Sequence, residues 1–314
     1  MENTSKIYIA GHTGMVGSAL YRRLTNLGYH NIITRSHDEL DLTNQDSTEK
    51  FFRDEKPEYV FLAAAKVGGI YANSTYPADF IMENMLIQCN VIRSAYVNNV
   101  KKLMLLGSSC IYPKLCPQPI KEEYLLTGEL EPTNEAYALA KISGIKMCQS
   151  YNQQYGTKYI SVMPASLYGI NDRFDINNSH VIPAMLMKFY RAKTGKKDYV
   201  ELWGTGKPLR EFLYVDDMAD ACIYLMNHYE GNDFINIGSG NEISIRQLAE
   251  VIQKTVGYQG KIKFNTSKPD GTLRRVLDNA RILKTGWEPK ISIEEGIMNE
   301  YLYFVKHIVP RKNY

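Results

Sequence analysis

The sequence predicts an α/β protein: a Rossmann-type, doubly wound parallel sheet that carries a smaller, discontinuous C-terminal lobe for substrate. Three observations predict it. Short apolar runs alternate with helix-periodic segments through the first half of the chain. The first of those runs is followed at once by three glycines spaced three apart. The alternation then breaks after Gly169 and resumes once, near Phe234.

Lys6-Ile-Tyr-Ile-Ala10 is apolar and rich in β-branched residues, so it reads as a buried strand. Gly11-His-Thr-Gly14-Met-Val-Gly17 follows, and 18–27 shows helical periodicity that stops near Gly28. Strand, glycine turn and helix together form the context that a dinucleotide-binding turn requires. Gly11 permits the tight turn, Gly14 lets backbone approach a pyrophosphate, and Gly17 permits close helix packing. The helix start offers N–H groups and the positive dipole end. Residues 31–34 read as strand two, 46–55 as a helix that Pro57 ends, and 59–63 as strand three. A long helix over 78–98, strand four over 102–106, a helix over 136–155, strand five over 160–164 and strand six over 234–237 complete the walk. Parallel strands with right-handed crossovers collect ligands at their carboxyl ends. Gly11, Ser108, Cys110 and Pro164 all follow predicted strands, so they should converge there. The division expected is 1–168 with about 210–240 for the dinucleotide domain, and about 169–209 with 241–314 for the substrate lobe, where 181–191 reads as a helix.

Composition bounds the class. The chain has 314 residues and a net charge of +3, and its basic residues are scattered, so a nucleic-acid partner is not expected. No apolar run approaches the length of a membrane span, and the polar start runs straight into strand one, so neither a membrane segment nor a leader is expected. Five cysteines, at 89, 110, 116, 148 and 222, lack metal-like spacing and fit reduced thiols in a cytoplasmic protein.

The chemistry is carried by Glu135-Ala136-Tyr137-Ala138-Leu139-Ala140-Lys141 and Gly107-Ser108-Ser109-Cys110. Tyr-x-x-x-Lys on a helix puts a phenol and an ammonium on one face, a turn apart. A nearby cation favours the phenolate, so a lowered tyrosine pKa is expected. Such a tyrosine exchanges a proton with a carbonyl or alcohol near neutral pH, and a serine from a strand end can hydrogen-bond the same oxygen. The spacing alone is unspecific; beside a dinucleotide turn it points to hydride transfer at a carbon bearing oxygen.

The GxxGxxG variant and further motifs carry a resemblance. Gly11-His-Thr-Gly-Met-Val-Gly-Ser18, Ala63-Ala-Ala-Lys-Val-Gly-Gly69, Tyr76-Pro-Ala-Asp-Phe80, Leu106-Gly-Ser-Ser-Cys-Ile-Tyr-Pro-Lys114, Glu131-Pro-Thr-Asn-Glu135, Asn178-Ser-His-Val-Ile-Pro183, Arg210-Glu-Phe212 and Lys268-Pro-Asp-Gly-Thr272 resemble the GDP-L-fucose synthase family of the extended short-chain dehydrogenases/reductases. These enzymes epimerise GDP-4-keto-6-deoxy-D-mannose at C3 and C5 and reduce it at C4. The resemblance implies Tyr137 as the proton donor to O4, Lys141 on the nicotinamide ribose, Ser108 on the keto oxygen, and Cys110 with His180 as the epimerisation pair. It implies a cofactor site built from Gly11, Thr13, Gly14, Met15, Val16, Gly17, Arg35, His37, Asp41, Leu42, Ala63, Lys141, Pro164, Ser166, Leu167 and His180. It implies that Lys188, Trp203, Arg210 and Asp270 hold the GDP end, and that the long helices 78–98 and 136–155 pair in a homodimer. No metal is implied.

Two departures narrow the reading. Strand two ends in Thr34-Arg35-Ser36-His37 with no acid until Asp38, which suits NADPH, with NADH as the alternative. Thr13 and His37 stand where relatives often have arginine. Ala165-Ser166 stands where the family usually shows Thr-Asn, so a related GDP-4-keto sugar such as a GDP-4-keto-heptose is an alternative substrate. A catalytically silent nucleotide sensor is the reading of different class, and the intact Ser108, Tyr137 and Lys141 argue against it.

Overall fold

The computed structural model describes residues 1–175 and 179–312; Asn178, which opens the 178–183 motif, lies outside them. Twelve strands occur among the described residues: β1 Ile7–Ala10, β2 Ile32–Arg35, β3 Tyr59–Leu62, β4 Lys102–Leu106, β5 Tyr159–Pro164, β6 Ser166–Tyr168, β7 Tyr199–Trp203, β8 Leu209–Tyr214, β9 Ile235–Ile237, β10 Glu242–Ser244, β11 Lys261–Asn265 and β12 Arg274–Arg275. The helices are α1 Met15–Asn26, α2 Gln45–Glu55, α3 Ile70–Thr75, α4 Pro77–Val97, α5 Glu135–Tyr155, α6 Val181–Thr194, α7 Val215–His228, α8 Ile245–Val256, α9 Ala280–Leu283, α10 Ile293–Tyr303 and α11 Val309–Lys312.

The main sheet has the order β2-β1-β3-β4-β5-β9, and all its pairs are parallel. It is the doubly wound sheet expected. The chain leaves β1 toward β2 and returns past it to β3, so the order reverses between β1 and β3. Right-handed crossovers in opposite directions cover opposite faces. Accordingly α1 packs against α7, while α2 packs against α4 and α4 against α5. The inner strands are buried on both sides, with β1, β4 and β5 buried at every position, while the edge strand β2 is only partly buried.

Local chemistry sets the element ends. Asn44 caps α2 by accepting from the Ser47 amide at 2.9 Å. Glu135 puts a negative charge in the first turn of α5, and Gly156, at φ +68°, closes that helix in the left-handed region. The α4–α5 seam is close because residue 144 is glycine: a Cβ there would lie 2.5 Å from Gln88 Oε1. Gln88 in turn donates to the Ala140 carbonyl at 2.8 Å.

The later segments build two small sheets. β8 pairs with β6 and β12 in parallel and with β10 antiparallel, and β7 pairs with β11 in parallel. Buried apolar residues fall into two clusters. One surrounds the six-stranded sheet; the other joins Phe174, α6, α8, Phe212, Tyr214, Ile297 and Phe304. No helix among the described residues is long and apolar enough to cross a membrane.

Candidate active site

A cleft of about 690 Å³ opens over the carboxyl ends of the main sheet, at the point where strand order reverses. Its lining includes every cofactor residue that the sequence proposes, together with Ser108 and Tyr137. Cys110 is not part of that lining, but it lies two residues beyond Ser108.

The glycine turn is packed to its limit. Gly11 has φ +82°, and a Cβ on it would sit 2.8 Å from the Ala64 backbone. A Cβ on Gly17 would lie 2.0 Å from the Gly11 carbonyl oxygen. Gly14 is different: its Cβ would meet the protein only at 3.4 Å, so the space beside it is open. A helix leaves its first amides without intrahelical partners, and those of Met15, Val16 and Gly17 follow the N-cap Gly14. A tight turn, one open glycine and a helix start fit a dinucleotide pyrophosphate. Beyond the turn, Arg35 is tied to Glu55 at 2.6 Å and to the Thr34 carbonyl at 2.8 Å. His37 is exposed. Asp41 accepts from the Thr43 hydroxyl and amide at 2.7 and 2.9 Å, which hold its carboxyl below the usual range. Asn90 donates to the Leu42 carbonyl at 2.9 Å and so fixes that segment.

Ser108, Cys110, Tyr137 and Lys141, which the sequence proposes for catalysis, come from two elements. β4 ends at Leu106, and Ser108 follows in extended backbone. Its Oγ accepts from the Cys110 amide at 3.4 Å, capping the short turn Ser109–Ile111. α5 brings Tyr137, whose ring meets Phe80 edge-on at 6.3 Å, and Lys141, which is 2 % exposed. The structure differs here from the sequence expectation. The Tyr137 phenol is pushed up, not down: burial raises it most, Cys110 raises it further, and a hydrogen bond with Ser108 opposes them. Lys141 donates instead to the Leu106 carbonyl at 2.8 Å, and its Nζ lies 5.8 Å from the Tyr137 ring centroid. Burial brings Lys141 down to about 8, with Cys110 opposing. The Cys110 thiol is raised by burial, against the Ser108 hydroxyl, Arg275 and Lys141. His180 is exposed at the N-cap of α6.

The four residues proposed for the GDP end come together in a second cavity of about 340 Å³, which shares Ser166, Val181 and Phe212 with the cleft. Trp203 is 66 % exposed, so it is not lobe core. Lys188 Nζ lies 6.0 Å and Lys268 Nζ 5.5 Å from its ring centroid. Asp270 accepts from the Thr205 amide at 2.8 Å and its hydroxyl at 2.7 Å. Arg210 donates to the Thr272 carbonyl at 2.6 Å.

Sequence reasoning missed Phe212, which lines this cavity, and Lys268 and Thr205, which support its lining residues Trp203 and Asp270. Lys268 and Phe212 had a signal, since each stands at one end of a quoted motif; Thr205 had none, because only folding brings it against Asp270, 65 residues further on. Among the described residues no group of three or more His, Cys, Asp or Glu could hold a metal.

A family model described as the NAD dependent epimerase/dehydratase family matches residues 7–238. The chain is 55 % identical to Putative GDP-L-fucose synthase 2 of Arabidopsis thaliana, over 99 % of this chain and 95 % of that protein. It is 51 % identical to the GDP-L-fucose synthase of Escherichia coli strain K12, over 96 % and 97 %. Among solved structures, the GDP-mannoheptose C4 reductase from Campylobacter jejuni with NADP bound matches with a TM-score of 0.90, at 43 % identity over 97 % and 99 % of the two chains. This chain belongs to the NAD dependent epimerase/dehydratase family, in its GDP-L-fucose synthase branch.

Proposed function

We propose that this protein is an NADPH-dependent epimerase/reductase that converts GDP-4-keto-6-deoxy-D-mannose to GDP-L-fucose. One observation carries the reading. The dinucleotide cleft and the Lys188–Trp203–Arg210–Asp270 cavity share walls, with Ser108, Tyr137, Lys141 and His180 on the cleft side of the junction. A diphosphate held by Lys188 and Arg210, with its base against Trp203, brings a linked sugar to that junction.

When bound, NADPH supplies the hydride for C4. Gly11, Gly14 and the first amides of α1 hold its pyrophosphate, and Lys141 holds its nicotinamide ribose. Tyr137 gives its proton to O4 while Ser108 donates to the same oxygen. A phenol held above its ordinary value stays protonated at neutral pH, and an alkoxide is basic enough to take that proton. Epimerisation breaks a C–H bond beside the carbonyl, moves its electron pair onto O4, and returns a proton from the other face. Cys110 and His180 exchange those protons, and Ser108 and Tyr137 stabilise the enolate oxygen. NADPH oxidation measured with GDP-4-keto-6-deoxy-mannose and with a GDP-4-keto-heptose, with products identified by NMR, tests the reading. Turnover of the heptose alone would overturn it.

C4 reduction of a GDP-4-keto-heptose is the second reading. It is favoured by the name of the Campylobacter jejuni relative and by Ala165-Ser166 at the junction, where Ser166 borders both cavities. Three coarser proposals accompany the function. The two core clusters support the division into a dinucleotide domain and a discontinuous substrate lobe. The exposed Met82, Met85, Leu86 and Val97 of α4, with Leu139 and Tyr155 of α5, support a homodimer built on those two helices; sedimentation showing only monomer at micromolar concentration would refute it. Five free thiols support a cytoplasmic location.

A further inference from the structure

Arg275 lies in β12, in register with Arg210 of β8. Its Nη2 donates to the Ser109 carbonyl at 2.5 Å. The same peptide unit presents the Cys110 amide to Ser108 Oγ. The peptide between Ser109 and Cys110 is therefore gripped at both ends, its oxygen by Arg275 and its nitrogen by Ser108. The neighbouring Arg274 is neutralised by Glu242. Arg275 has no carboxylate partner among the described residues, and its charge is felt by Cys110, Cys116 and Arg210.

We propose that Arg275 is a positioning residue for proton exchange at the sugar: it fixes the Ser109–Cys110 peptide and sets an uncompensated guanidinium where it stabilises negative charge on the Cys110 sulfur. Its role in turnover rests on the epimerase/reductase reading; its effect on the sulfur does not. The groups that face Cys110 are the Ser108 hydroxyl, the Tyr137 phenol, Lys141 and Arg275. Burial holds the thiol up, and of the two cations that oppose it, Arg275 acts more strongly than Lys141. The demand on the sulfur is the same in either direction of exchange. As the base, Cys110 starts as thiolate and takes the proton of the C–H bond while the electron pair moves to O4. As the acid, it gives its proton to carbon and is left as thiolate. A cation at 275 favours the charged form in both cases.

The test uses the full chain as wild type, Arg275→Met and Arg275→Lys. Alkylation by iodoacetamide is followed across pH and read peptide by peptide, with Cys89 as internal reference because burial alone raises its thiol. Deuterium wash-in to GDP-4-keto-6-deoxy-mannose without NADPH is measured in parallel. In Arg275→Met the Cys110 midpoint should rise by about half to one pH unit, wash-in should fall about tenfold, and reduction of an already epimerised ketone should stay within about threefold. Arg275→Lys keeps the charge and should recover most of the midpoint and part of the wash-in, and Cys89 should not move. An unmoved Cys110 midpoint in Arg275→Met, or one that lysine fails to restore, overturns the proposal. A wild type that shows no wash-in refutes epimerisation instead, and the alkylation result still decides the electrostatic role.

Discussion

Gly17→Ala should damage cofactor binding more than its single methyl suggests. The added Cβ would sit 2.0 Å from the Gly11 carbonyl oxygen and 2.6 Å from its carbon, where ordinary contact begins at 3.4 Å. Both partners are backbone, so no rotamer change relieves the clash. The start of α1 and the Gly11 turn must part by roughly an ångström, and overpacking of that kind costs about 1–3 kcal/mol. Gly11 cannot yield, because its own Cβ position already lies 2.8 Å from the Ala64 backbone. A loss of about 2 kcal/mol lowers the melting temperature by roughly 4–8 °C in a large domain. The displaced amides of α1 no longer converge on a pyrophosphate. A hydrogen bond to a charged group is worth about 1.5–3 kcal/mol, so losing one weakens NADPH binding by about 10–100-fold. Fluorescence titration with NADPH and thermal unfolding read the two effects. A dissociation constant within threefold of wild type, with an unchanged melting temperature, would refute the reasoning. Gly14→Ala is the control: its Cβ is open to the protein, so it should unfold normally and still bind NADPH poorly.

Other substitutions probe the chemistry. Tyr137→Phe should abolish NADPH consumption while cofactor affinity stays near normal; turnover within a few-fold of wild type would remove Tyr137 from its role. Wild type in heavy water without NADPH should wash deuterium into the 4-keto sugar, and Cys110→Ser should lose this exchange, because a hydroxyl is far less acidic than a thiol. That variant should still reduce a pre-epimerised ketone. If wild type oxidises NADPH without any exchange, the enzyme is a C4 reductase only. Lys141 titrates at about 8 in the fold against an ordinary 10.5. The unfolded chain therefore binds that proton more readily between pH 8 and 10.5, and native stability gains from this group as pH rises through the window. The stability advantage of Lys141→Met over wild type should be fully present below pH 8 and shrink toward pH 10; a difference independent of pH would show that Lys141 is not depressed.

The sequence by itself determined what depends on neighbours along the chain. The Gly11, Gly14 and Gly17 spacing, the strand-turn-helix order around it, and the one-turn separation of Tyr137 and Lys141 are local patterns, and local periodicity survives folding. Strand four was legible to the residue, and the other main-sheet strands to within one, because parallel strands buried on both faces read as short apolar runs. The strands β6, β8, β10 and β12 were not: β6, β10 and β12 are two or three residues long and partly exposed, and all three pair with β8 from distant parts of the chain. Only the tertiary structure decided how the site's groups are charged. The spacing of Tyr137 and Lys141 predicts a lowered phenol, but packing buries both and turns Lys141 toward Leu106, and desolvation raises the phenol against the Ser108 hydrogen bond. Tertiary packing also buried Glu300, a carboxyl-bearing residue on α10. It is 0 % exposed, its carboxyl has no hydrogen-bond partner among the described residues, and burial with Asp172 nearby raises it. Glu211 is buried the same way but is satisfied by the amides of Gly240 and Leu277 and by Asn279. A sequence fixes which groups can ionise; which side of water they end on depends on contacts between segments far apart in the chain, and burial sets the cost of their charge.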